Sequence, residues 1–233
     1  MTSRSIGRIT SELARGFCSK PVRALYSIAI FCSLAATAGA QAITVTGAVV
    51  SLTPVGMTAP QPKKTFTIVQ KDKKFDPHVL AIPAGSLVAF PNFDPFFHNV
   101  FSMFDGRRFD LGLYEAGASR TAAFPKVGVC FIFCNIHPEM SAIIVVVNTP
   151  HYTITDATGK FSFTGVAPGQ YRLAVWHERA QPNAAEEFPK LVTVSPAIPD
   201  LEPIKLNDSG QLTVTHKNKY GRDYDSSVGK PTY

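Results

Sequence analysis

The sequence predicts an all-β protein, and three observations predict it. After residue 40, no long stretch carries apolar residues at helical spacing. The apolar stretches are short and are punctuated by turn formers, with 18 Pro and 16 Gly in 233 residues. The segment 128–134 is nearly all apolar, which suits a strand covered on both faces. The length allows one or two domains, and an apolar share of 45% against 17% charged residues is enough for a core.

Residues 1–40 read as a leader. Arg4, Arg8, Arg15, Lys20 and Arg23 precede or open a short apolar run that ends Ala35-Ala36-Thr37-Ala38-Gly39-Ala40. Small residues three and one positions before a cut after Ala40 fit a secretory signal peptide. The run is shorter than the roughly 20 apolar residues a membrane span needs. No span is therefore expected after cleavage, and the expected location is periplasmic or secreted. Cys32 follows Phe31, which does not suit lipidation. Of the formal net charge of +6, the leader's five cations and Glu12 account for +4, leaving +2 for the rest. Without a basic stripe and interleaved aromatics, nucleic-acid binding is excluded as an expectation.

Cleavage would leave Cys130 and Cys134 as the cysteines of an exported chain. On one strand they would lie roughly 13 Å apart, beyond the Cα separation of about 7 Å that a disulfide tolerates. Cys130 then reads as a small core residue, and Cys134 needs another reason.

The first domain, 41–148, starts with strands at 43–46 and 48–52 around Gly47. Pro54, Pro60 and Pro62 mark a loop, and 65–70 alternates as a strand. Pro83-Ala84-Gly85 makes a turn before a strand at 86–90. Asn92 and Asp94-Pro95 make another turn before His98, and Val100-Phe101 resumes extended structure. Residues 104–119 read as a loop, with Arg107 and Arg108 as solvated charges. Short strands follow at 121–124, 128–134 and 143–147.

Between the last two strands lies Cys134-Asn135-Ile136-His137-Pro138-Glu139-Met140. A thiol, an imidazole and a thioether within seven residues are soft donors that favour copper over hard cations. Methionine is a poor zinc ligand, and a CxxC redox motif is absent. His98, in Asp94-Pro95-Phe96-Phe97-His98-Asn99-Val100, is the candidate fourth donor.

Residues 75–147 resemble a cupredoxin of the plastocyanin and amicyanin kind. The resemblance rests on Pro77 to Gly85, Asn92-x-Asp94 to His98-Asn99, and Gly128 to Met140; Cys130 stands where an aromatic is common. It implies a Greek-key β-sandwich holding one copper ion that cycles between Cu(I) and Cu(II). His98 and His137 would supply nitrogens, Cys134 the thiolate and Met140 a weak axial sulfur. Asn99 would direct its backbone N–H at the Cys134 sulfur. It also implies an electron carrier and not an enzyme, serving redox proteins such as a dehydrogenase and a cytochrome. Pro95, Phe96, Phe97 and Pro138 would form an apolar docking patch. The short ligand loop points to a methylamine-utilisation type of partner. The alternative is copper binding or delivery without electron transfer. His78 has no ligand position in the resemblance and reads as a surface or structural residue. His-x-His pairs are absent, so oxygen reduction is not expected.

Residues 149–206 resemble a carboxypeptidase regulatory-like, transthyretin-like β-sandwich module. Asp156-x-x-Gly159-x-Phe161 and Pro168-Gly169-x-Tyr171-x-Leu173-x-Val175 carry that resemblance, which implies no peptidase activity. So small a module invites strands 43–52 to complete its sheet. Residues 207–233 are polar and are expected to be disordered.

Overall fold

A computed structural model describes residues 38–42, 46–56, 63–103, 107–180, 189–195, 204, 206 and 217–224. The leader before residue 38, residues 43–45 and most of the tail from 207 lie outside them. Among the described residues all regular structure is strand, and no helix is long and apolar enough to cross a membrane.

Two sheets enclose the first core. One runs in the order β6 (Val79–Pro83), β12 (Ser141–Val147), β11 (Gly128–Phe133), β8 (His98–Ser102) and β9 (Phe109–Tyr114). The other runs β10 (Ser119–Phe124), β7 (Ser86–Pro91) and β3 (Thr65–Thr67). Ile82, Phe90, Phe124, Ile132 and Ile144 fill the space between them. A small hairpin, β4 (Val69–Lys71) and β5 (Lys74–Asp76), lies beside them.

A further sheet has the order β13 (His151–Ile154), β2 (Val49–Pro54), β15 (Gly169–Trp176) and β16 (Lys190–Val194). The strand that precedes the first sandwich in sequence thus sits in the middle of the sheet that follows it. β1 (Ala38–Ala42), which runs across the expected cleavage point, pairs with β14 (Lys160–Phe163).

Strand β12 shows why the apolar runs do not alternate. Ala142, Ile144 and Val146 point into the first core. Ile143, Val145 and Val147 point the other way, onto Val49, Tyr152 and Trp176. Successive side chains leave opposite faces of a strand, so burial of both faces requires every residue to be apolar. The second face of β2 packs Val50 and Leu52 with Phe161, Phe163, Tyr171 and Leu173. His78 adds a polar link across the sequence, with Nε2 2.8 Å from Glu178 Oε2 and Nδ1 3.0 Å from the Ser141 carbonyl oxygen.

Three expectations differ from the structure. The strand expected at 65–70 is split at the buried Ile68 into β3 and β4, which pair in different sheets. The stretch 104–119 is not all loop, since 109–114 forms strand β9. Phe109 and Leu111 pack on the core from it, while Gly112 at φ 73° hides the pattern. The tail is not wholly without structure either. Residues 217–224 fold around Asn218, whose Oδ1 accepts the N–H groups of Tyr220 and Arg222.

Candidate metal centre

Strands β11 and β12 form a hairpin whose last pair is Phe133 with Ser141. The seven residues between them are the motif loop. Its ends are tied by Cys134 N–H to the Met140 carbonyl and Met140 N–H to the His137 carbonyl, at 3.2 and 3.0 Å. Strand β8 lies next to β11, with Phe101 opposite Phe133, which brings His98 to the same end.

The turn before His98 is built on Asn92. Its Oδ1 accepts the Asp94 N–H at 3.0 Å, and its Nδ2 donates to the Phe96 carbonyl at 2.8 Å. Phe93 N–H reaches Gln70 O at 2.8 Å, fixing the turn to β4.

These elements gather three donors. His98 Nδ1 and His137 Nδ1 lie 3.1 Å apart, and Cys134 Sγ is 3.9 and 3.6 Å from them. Together they form a cluster able to hold a metal ion. Met140 is fully buried in the core cluster that contains Cys134. Metal bonds of about 2.0 Å from imidazole and about 2.3 Å from thiolate imply N···S separations of roughly 3.5–3.7 Å and N···N separations of roughly 3.3–3.5 Å. The donor spacings lie close to both ranges, so the residues fit a single ion.

The electrostatics suit a bound cation. Burial pushes the Cys134 thiol up, against backbone N–H groups of Asn99, Ile136 and His137 that favour the thiolate, while Glu139 adds to the rise. Burial, then the neighbouring His98 and Lys73, pushes His137 down, which favours the neutral imidazole that ligates. A metal cation reverses the burial penalty on a thiolate.

The surroundings include residues that the motif did not announce. Asp94 Oδ2 lies 2.7 Å from His98 Nε2. Its position four residues before a candidate ligand was a signal that could have found it. The Phe96 ring sits edge-on to His98 and tilted against His137, with centroids 5.2 and 5.6 Å away. Asn99 is buried, and its Nδ2 donates to Asp110 Oδ1 at 2.7 Å. Lys219 from the tail donates its N–H to Asn135 Oδ1 and its ammonium to Asp110 Oδ2, and Tyr224 OH donates to the Cys134 carbonyl. No local pattern in the sequence points from Tyr224 to Cys134, ninety residues away.

Phe93, Pro95 and Phe97 before His98 and Pro138 after His137 are exposed, and Phe96 is half-buried. Cys130 and Cys134 are both free thiols. Cys130 donates to Ser102 Oγ inside the core. His78, His151 and His177 stand outside the cluster.

No protein-family model matches the chain, and no curated protein is found similar to it. Among solved structures, a purple cupredoxin from Nitrosopumilus maritimus aligns over 35% of this chain and 99% of its own, at 23% identity and TM-score 0.32. Amicyanin, as a reduced Cu(I) point mutant, aligns over 43% of this chain and 99% of its own, at 18% identity and TM-score 0.34. A copper-containing nitrite reductase from Thermus scotoductus aligns over 42% of this chain, at 28% identity and TM-score 0.35; this chain spans a quarter of its length. Each of these likenesses covers less than half of the chain.

Proposed function

We infer that the protein is an exported type 1 copper protein that passes single electrons between redox partners, without catalysing a reaction of its own. The observation that carries this reading is the convergence of His98 Nδ1, His137 Nδ1 and the buried Cys134 Sγ within 4.8 Å of one another. In this reading, Met140 contributes a weak fourth donor. Copper held by His98, Cys134, His137 and Met140 would supply a one-electron couple, through which the protein could accept an electron from a reduced protein donor and pass it to an oxidised acceptor.

The chain's own residues do the rest. The β11–β12 hairpin and β8 are paired strands, so they hold the donors in place through a change of charge, which keeps reorganisation small. Backbone N–H groups on the Cys134 sulfur draw electron density from it and help set the potential. His137 is half-buried, where His98 and Cys134 are buried, and its ring lies beside that of Phe96. Phe93, Phe97 and Pro138 suit a small, weak contact with a redox protein, such as a dehydrogenase or a cytochrome.

The test is to load the purified mature chain with Cu(II). An intense visible thiolate-to-copper band is expected, lost in Cys134→Ala and bleached by ascorbate. A colourless copper complex, or tight zinc with no copper band, refutes the reading. Stopped-flow mixing with a reduced one-electron donor separates carrier from delivery protein: a carrier bleaches quickly and keeps its metal.

A further inference from the structure

We propose that Asp94 is a positioning residue for the copper centre: its carboxylate holds the Nε2–H of His98 so that Nδ1 faces Cys134, and its negative charge weights the site toward the cupric state. This rests on the copper reading above.

The geometry is specific. Asp94 Oδ2 lies 2.7 Å from His98 Nε2, with side chains 5% and 0% exposed. The carboxylate is itself clamped by the β4–β5 turn. Asp72 N–H donates to Oδ1 at 2.7 Å and Lys73 N–H to Oδ2 at 3.0 Å. Asp72 and Lys73 are non-glycine residues at φ 53° and 55°, a conformation that L residues adopt at a cost. It is the backbone of a two-residue hairpin turn, and it aims two adjacent N–H groups at one carboxylate. The order of support is therefore turn, carboxylate, imidazole and donor cluster.

Charge separates this arrangement from simple orientation. A neutral carbonyl could turn the ring equally well. Asp94 brings a full negative charge, and among the described residues it forms no ion pair with lysine or arginine. The Lys73 ammonium lies over the Phe96 ring instead, 5.6 Å from its centroid. The carboxylate's fixed counter-group is thus His98. An anion behind a ligating imidazole raises its basicity and stabilises the more positive oxidation state of the ion.

The experiment compares wild type with Asp94→Asn, which keeps an acceptor oxygen and removes the charge, and with Asp94→Ala, which removes both. In the copper-loaded full chain, Asp94→Asn is expected to lose about tenfold in preference for Cu(II) over Cu(I), a rise in potential of about 59 mV for one electron, while keeping the thiolate band. Equal potentials in wild type and Asp94→Asn overturn the electronic role. A second measurement needs no metal. Proton–nitrogen NMR of the metal-free chain should show a His98 Nε2–H signal protected from exchange in wild type and Asp94→Asn, and lost in Asp94→Ala. Its absence in wild type overturns the positioning role. If wild type gives no copper–thiolate band, the proposed function fails and the NMR measurement still decides whether Asp94 holds His98. If Asp94→Ala does not fold, Asp94→Asn carries the comparison.

Discussion

A buried thiol beside two buried or half-buried imidazoles is a costly cluster, and single residues around it offset that cost. Phe96 is the plainest case. Its ring packs edge-on against His98 and tilted against His137, and such ring pairs contribute about 0.5–1.5 kcal/mol each beyond burial. Phe96→Ala is therefore expected to lower the unfolding free energy of the metal-free chain by about 1–2 kcal/mol, read by urea titration. An unchanged midpoint would mean that the ring contacts are incidental. The same substitution opens the donors to water, so chelator challenge of the copper-loaded protein should strip metal several-fold faster. The three donors were legible in the sequence because soft ligand types stand out at any position. Phe96 was legible only as apolar, since one of its ring partners opens strand β8 and the other lies in the distant loop between β11 and β12.

Among the elements, the segment 217–224 acts as a strap over the ligand loop. It holds Asn135 through Lys219 N–H and the Cys134 carbonyl through Tyr224 OH, at 2.9 Å each. The Lys219–Asp110 pair adds a third tie at 2.8 Å. Deleting residues 217–233 should raise amide exchange in residues 134–137 while leaving β12 protected. Unchanged exchange would show that the strap bears no load. The pair also gives a pH signature. Burial raises the Asp110 carboxyl, but hydrogen bonds from Lys219, the Gly112 N–H and Asn99 outweigh it and hold the group below its usual 3.8. A depressed carboxylate stabilises the fold above its unfolded value, and that contribution fades as pH falls through the folded value. Lys219 is raised above 10.5, by its hydrogen bond to Asp110 first. Its contribution is complete below 10.5 and fades as pH rises through the folded value. The strap should therefore hold between these limits and loosen outside them. Both groups are partly exposed, so the pair contributes only about 0.2–1 kcal/mol. The tail's polarity concealed this strap, because its partners are side chains and carbonyls far away in sequence. Strand β9 was concealed differently, by Gly112 breaking its alternation. By contrast, β11 and β12 were plain, since a strand buried on both faces leaves no polar residue to blur it.

At the scale of the whole molecule, the strands on either side of residues 65–147 belong to one sheet. β2 pairs with β13 from Leu52–His151 to Val49–Ile154, and with β15 from Pro54–Tyr171 to Val49–Trp176. It also buries both its faces, Val50 and Leu52 into one core and Val49 into the other. Sequence reading could see that 149–206 was short of a sheet and that 43–52 invited itself into the gap, but not that β2 would lie between β13 and β15 or in what register, because pairing between strands far apart in sequence leaves no local trace. A physical consequence follows for fragments. Residues 149–206 alone lack the central strand, so β13 and β15 lose their shared neighbour and Leu173 and Phe161 lose the β2 side of their core. That fragment should give a collapsed proton NMR spectrum and no cooperative thermal transition. Residues 63–148 alone keep both sheets of the first sandwich but expose Ile143, Val145 and Val147, which the intact chain covers. A contiguous apolar sheet face of this kind drives self-association. The fragment should elute above its monomer mass, and charged substitutions at Ile143 and Val145 should restore the monomer in the fragment while destabilising the full chain. A monomeric, fully dispersed 149–206 fragment would show that β2 is dispensable and that the two sandwiches are independent in folding.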